Sequence, residues 1–138
     1  MEKEKAKLLQ VGDIIRTKSE INIVLYIDFE DKVFHSISLK DDPLSYNAKV
    51  LSQIPLTDEI LGKNGFSINV FENCIYYDFQ KNAGFDELIK ANYHLIKYNS
   101  DDYYFFEDCP FIKVRTVDEF QRLLRLMGFV DFANNFKV

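Results

Sequence analysis

Tryptophan is absent from this 138-residue chain, and cysteine, proline and glycine number only two, three and five. Each shortage excludes something. Cys74 and Cys109 stand far apart, forming neither a CxxC motif nor the dense disulfide framework of a small secreted domain. A reduced, cytoplasmic protein is the expectation. So little Gly and Pro leaves no low-complexity linker, which predicts one domain over residues 1–138. Residues 1–7, MEKEKAK, are charged, lack the apolar core of a signal peptide and read as a frayed end. No apolar run approaches the roughly 20 residues of a membrane-spanning helix, so no membrane partner is expected.

Basic residues are outnumbered 22 to 17 by acidic ones, for a formal charge of −5, and no Lys/Arg run occurs. Such a chain gains no counterion-release drive toward DNA, which argues against non-specific nucleic-acid binding. Neither a GxGxxG nor a Walker-type phosphate loop is present. Two histidines and two cysteines without any short-spaced pair do not make a zinc motif, and the acidic group Asp28/Glu30/Asp31 lacks the glycine and terminal glutamate of a calcium loop. No metal, cofactor or catalytic residue is expected.

What is plentiful is hydrophobic and aromatic. Hydrophobic residues make up 47% and charged residues 28%, the balance of a globular core. Thirteen Phe and eight Tyr raise the aromatic share to 15%.

The stretch Thr116–Phe129 carries the clearest local signal. Val117, Phe120, Leu123, Leu124 and Met127 recur at helical spacing. Thr116 and Glu119 have the spacing of a capping box, and Gly128 stands where a left-handed residue closes a helix. Asp118, Glu119, Gln121, Arg122 and Arg125 form the polar face, with Asp118 and Arg122 as an i,i+4 ion pair. Ile54–Phe66 repeats this punctuation on a smaller scale: Thr57 as N-cap, Asp58 and Glu59 at the positive end, Gly65 as the stop. Two turns of helix are predicted there.

Strands are predicted elsewhere. Leu8–Thr17 bends at Gly12-Asp13. Ile21–Phe29 places Ile21, Ile23, Leu25, Ile27 and Phe29 on one face and forms a hairpin with Val33–Leu39. Asp41-Asp42-Pro43 reads as a turn, and Tyr46–Leu51 as a further strand. Ser67–Phe71 and Ile75–Gln80 form a hairpin about Glu72-Asn73; Tyr93–Tyr98 and Tyr103–Glu107 form another about Asn99–Asp102. Lys81–Gly84 is a turn, and Phe85–Ala91 suits either a short helix or a strand. Cys109-Pro110 breaks the second hairpin before Phe111–Val114 runs on into the main helix, and Val130–Val138 adds a short strand or wraps the surface. Without alternating βαβ units, the fold class is α+β: mostly antiparallel strands in a small barrel-like or curved sheet, with a short central helix and a longer C-terminal one.

LQVGDII near the start, IPLTDEILGKNGF in the middle and the helix after FIKVRTVDEFQRLL resemble small proteins of unassigned activity common in Bacteroidetes and their phages. The central block is the specific part. Asp13 after Gly12, and DEFQRLL in the last helix, depart from that family's pattern. The resemblance implies a bacterial or phage setting, with the host cytoplasm as the compartment if phage-encoded. It transfers no catalytic residue.

The candidate chemistry lies in aromatics and histidines. His35 shares a strand face with Val33, Ile37 and Leu39 and reads as structural. His94, in a tyrosine-rich strand, is the better functional candidate, although no nucleophile stands at motif spacing. Consecutive residues of a strand point to opposite faces, so Tyr76-Tyr77 and Tyr103-Tyr104-Phe105-Phe106 put rings on both sides of a sheet. One side can take the main helix. The other is covered by a loop, the tail, a second subunit or a ligand, and where such aromatic area is exposed it marks a surface for binding. The expected binding residues are Tyr76, Tyr77, His94, Tyr103, Tyr104 and Arg115. The leading expectation is a non-enzymatic interaction protein, engaging a protein partner or a second copy of itself. The alternative is a module that sequesters a small nucleotide-derived signal, with rings to stack a base and Arg115, Lys113 or Lys97 to pair a phosphate.

Overall fold

A computed structural model describes residues 8–17, 20–28, 36–39, 42–46, 51–79 and 94–138. The fold class is α+β with antiparallel pairing throughout the described strands. The chain divides into two compact units: residues 1–55 with 116–134, and residues 56–115 with 135–138. Each holds its own sheet, so the strands form two sheets rather than one.

The first unit contains β1 (Ile14–Arg16), β2 (Ile21–Asp28), β3 (Ser36–Leu39) and β4 (Asp42–Tyr46), paired in chain order. The predicted β2–β3 hairpin forms. The predicted first strand shortens to three residues because Val11-Gly12 is a turn, with Gly12 at φ +94. At the start of β2 the buried parity is Asn22 and Val24, while Ile21 is exposed. The register explains it: Asn22 lies opposite the fully buried Ile15. Asp42-Pro43 is not a turn but the start of β4, an edge strand, where proline's missing N–H can face away from the ladder. Most of the predicted strand Tyr46–Leu51 (residues 47–50) lies outside the described residues; Ser52 makes an isolated bridge to Arg16. The expectations for Val33–His35, Asp41, Lys81–Gly84 and Phe85–Ala91 lie outside the described residues.

The long helix forms as α2 (Val117–Leu126) and packs against β1 and α3 (Val130–Asn134). The tail therefore adds a helical turn, not a strand. The stop is the one expected: Gly128 N–H donates to Arg125 O and Phe129 N–H to Leu124 O, at 3.0 and 2.8 Å, with Gly128 at φ +92. These two bonds make a Schellman closure. The start differs. Thr116 makes no side-chain cap; its Oγ1 instead accepts from Gln53 Nε2 at 3.3 Å.

The polar face of α2 also differs from expectation, because Asp118 and Gln121 are fully buried. Gln121 Oε1 accepts the Ile14 N–H at 2.7 Å, and its Nε2 donates to Gly12 O and Ala133 O at 3.0 and 2.9 Å. Its amide thus uses both donors and an acceptor lone pair. Asp13, also fully buried, accepts from Arg125 and Arg122 and from the Gln10 N–H. Arg122 bridges onward to Asp118 at 2.9 Å, and Gln53 Nε2 donates to the same carboxylate at 3.0 Å. Burial pushes the Asp13 carboxyl above its ordinary 3.8, outweighing the hydrogen bonds from Arg125 and Gln10 and the two guanidinium charges.

The second unit begins with α1 (Asp58–Lys63), capped by Thr57 Oγ1, which accepts the Ile60 N–H at 3.3 Å. Gly65, at φ +89, ends the turn before β5. Five strands follow in chain order, β5 (Phe66–Val70), β6 (Cys74–Phe79), β7 (Leu95–Tyr98), β8 (Tyr104–Phe106) and β9 (Cys109–Val114), each antiparallel to the last. Both predicted hairpins are present. Cys109-Pro110 is not a break after the second hairpin but the opening of β9, again an edge strand. The tail is tied to α1's end by Asn64, which accepts the Lys137 N–H and donates to Lys137 O at 2.8 and 2.7 Å.

Candidate binding surface on the five-stranded sheet

The cross-strand register assigns each aromatic to a face, since directly opposed residues share one. Tyr77, Leu95 and Phe106 are in line on one face. All three are fully buried, and Phe66, Tyr104 and Val114 join them in the core. Tyr76, Ile96 and Phe105 are in line on the other face.

On the inner face, Tyr77 and Tyr104 meet edge to face with centroids 5.3 Å apart. Both hydroxyls donate to Asp58 Oδ1 on α1, at 2.6 and 3.1 Å. Burial, then the bonded carboxylate, raises the Tyr77 phenol well above its ordinary 10; burial and the Asp58 charge do the same for Tyr104. Of the six expected binding residues, these two are core members that anchor α1 to the sheet.

The outer face carries two chains of rings. Phe71 meets Tyr76 edge-on at 5.1 Å, and Tyr76 lies 5.9 Å from the His94 ring. Tyr98 and Tyr103 flank Phe105 at 5.6 and 6.3 Å. Between them sits Ile96, opposite both Tyr76 and Phe105, so the band runs unbroken across β6, β7 and β8. Ile96 and Phe105 are buried, whereas Phe71 and Tyr98 remain 55% and 46% exposed. Burial pushes the Tyr76 and Tyr103 phenols upward, helped by Glu107 for Tyr76 and by a hydrogen bond with Asp101 for Tyr103. Phe71, Ile96 and Tyr98 are band members that the residue pattern did not single out. Their strands were visible in the sequence, but their pairing across strands needs the register.

Two polar groupings border the band. His94 Nδ1 and Asp78 Oδ1 form a close pair, and Asn69 Nδ2 donates to the other Asp78 oxygen at 2.8 Å. This is a carboxylate-oriented imidazole, but Cys74 lies opposite Tyr98, four residues along the strand from His94, on the order of 13 Å away. That separation keeps the Cys74 thiol out of reach of the ring. At the other end, Lys113 Nζ and Arg115 Cζ sit 4.8 and 5.3 Å from the Tyr103 ring centroid, and Arg115 pairs with Asp102 at 3.2 Å. The six residues therefore fall into an inner pair, a His94–Tyr76 grouping and a Tyr103–Arg115 grouping; they do not converge on one pocket.

Among the described residues no three His, Cys, Asp or Glu side chains gather as a metal site, and no helix is long and apolar enough to cross a membrane. Cys74 and Cys109 are free and half-buried. No family model matches the chain, and no curated protein or solved structure matches it either.

Proposed function

We propose that this chain is a non-enzymatic interaction protein that engages a protein partner through the outer face of its five-stranded sheet. The carrying observation is the continuous band Phe71–Tyr76–Ile96–Phe105–Tyr98, whose ends stay exposed while its middle is already dry. Rings that are rigid, apolar and tipped with a hydroxyl lose little entropy on docking and keep a hydrogen-bonding end. Bacterial or phage origin and a cytoplasmic setting belong to the same reading, supported by the central IPLTDEILGKNGF block and the two free thiols.

The nucleotide-sequestering alternative is supported by Tyr103 with Lys113 and Arg115, a ring beside two cations. Those cations already lie over that ring, and Arg115 is engaged by Asp102. A stacked base has to displace them, which favours the protein-partner reading.

The test is site-specific photocrosslinking in the native cell, with benzophenone side chains at Phe71 and Tyr98 and a control at Leu126, exposed in the other unit. One discrete protein adduct at both sheet positions, absent at Leu126 and lost on adding Tyr76→Lys, is expected. No adduct at either sheet position overturns the proposal.

A further inference from the structure

The two edges of the five-stranded sheet are unlike. β9 carries Pro110, Lys113 and a register shift against β8, three devices that discourage an edge strand from pairing. β5 reads FSINV, with no proline and no charge, and its register with β6 is uninterrupted from Phe66 to Val70. Among the described residues, no strand borders its outer side.

The hairpin settles which of its backbone groups face outward. Phe71 N–H donates to Cys74 O at 2.9 Å, so Phe71 and Cys74 are a hydrogen-bonded pair. Antiparallel alternation then turns the backbone of Asn69 toward β6 and that of Ile68 and Val70 away from it. The side chains of the same two residues are 43% and 73% exposed. Outward-facing backbone donors and acceptors thus coincide with exposed branched apolar side chains.

We infer that β5 is the seam at which a second copy of this chain adds its own β5, antiparallel, across a twofold axis. In the register that opposes outward-facing groups, Ile68 meets the partner's Val70 and Val70 meets the partner's Ile68. Each of these pairs exchanges both N–H···O bonds, and Asn69 lies at the axis. The occupant is a second copy because the strand is complementary to itself. Phe66–Phe71 holds no charged residue in a chain of formal charge −5, so self-pairing sets no like charges opposite one another and joins branched side chain to branched side chain. Such an edge contact is small, so the dimer is concentration-dependent. The seam meets the aromatic band only at Phe71. A self-adduct reports the seam and an adduct with another protein reports the band, so each can fail without the other.

The test uses the full chain with Cys74→Ser and Cys109→Ser. Asn69→Cys across the axis forms a non-hydrogen-bonded pair with Cα atoms about 4.5 Å apart, within reach of a disulfide. Under mild oxidation Asn69→Cys is expected to give a covalent dimer at least tenfold faster than Asn73→Cys, exposed in the adjacent turn. In sedimentation, Ile68→Lys is expected to raise the concentration of half-dimerisation at least tenfold. Equal oxidation rates for the two cysteines overturn the proposal. So does a ladder of larger oligomers, which denies twofold closure, or cross-linking of Asn69→Cys to a different protein but not to itself. Asn69→Cys reports the register by itself, so the test stands even where Ile68→Lys fails to fold.

Discussion

Gln121 on α2 accepts the backbone N–H of Ile14, 107 residues earlier in the chain, at 2.7 Å. With its bonds to Gly12 and Ala133, one side chain joins the start of the first sheet, the long helix and the short helix after it.

Gln121→Leu keeps much of the side chain's volume but strands a buried N–H and two carbonyls. Each unsatisfied group costs about 1–3 kcal/mol, so the expected loss is roughly 3 kcal/mol or more in urea unfolding. A loss under about 1 kcal/mol refutes the bridging role.

The glycines separate by conformation. Gly12, at φ +94, has Arg125 Nη2 and Asn134 Oδ1 3.0 Å from where a Cβ sits. Gly128 shares the positive φ but has open space, and Gly62 in α1 has open space with no positive φ. Alanine is therefore expected to destabilise most at Gly12, by about 1 kcal/mol at Gly128, and to stabilise by up to about 1 kcal/mol at Gly62. Thermal melts of the three variants give the order; any other ranking contradicts these backbone assignments.

Asp13 is held above its ordinary 3.8 in the folded state, so the native chain binds that proton more tightly than the unfolded one. Its contribution is fully present below pH 3.8 and is lost as the pH rises through the folded value. Relative to Asp13→Asn, the wild type is expected to lose stability across that window. Urea midpoints for the two proteins that stay parallel as the pH rises from below 3.8 count against it.

Tyr77 and Tyr104 show the same sign at the alkaline end. Their folded values lie above 10, so their contribution is intact below pH 10 and falls as the pH rises beyond it, by up to about 1.4 kcal/mol per pH unit for each phenol. The double variant Tyr77→Phe/Tyr104→Phe is expected to start less stable and to lose stability more slowly above pH 10. Tyrosinate absorbance of the wild type should include a step coincident with unfolding; a non-cooperative rise for all eight tyrosines argues against burial of this pair.

Local chemistry was legible in the residues themselves. Thr57 caps α1, Gly128 closes α2, and two hairpins turn at Glu72-Asn73 and Asn99–Asp102, because each signal depends on neighbours a few residues away. The α+β class followed from the same signals. Tertiary structure decided the rest. Gln121, Asp118 and Asp13 look like solvated polar residues until long-range partners are in place, and only those partners offset the free-energy cost of burying them. Pro43 and Pro110 are strand residues because sheet order places them at edges, and sheet order is a long-range property. Period-2 alternation puts Tyr76 and Tyr77 on opposite faces but cannot say which face is buried. The packing of Asp58 over Tyr77 and Tyr104 decided that, leaving Phe71 and Tyr98 at the surface.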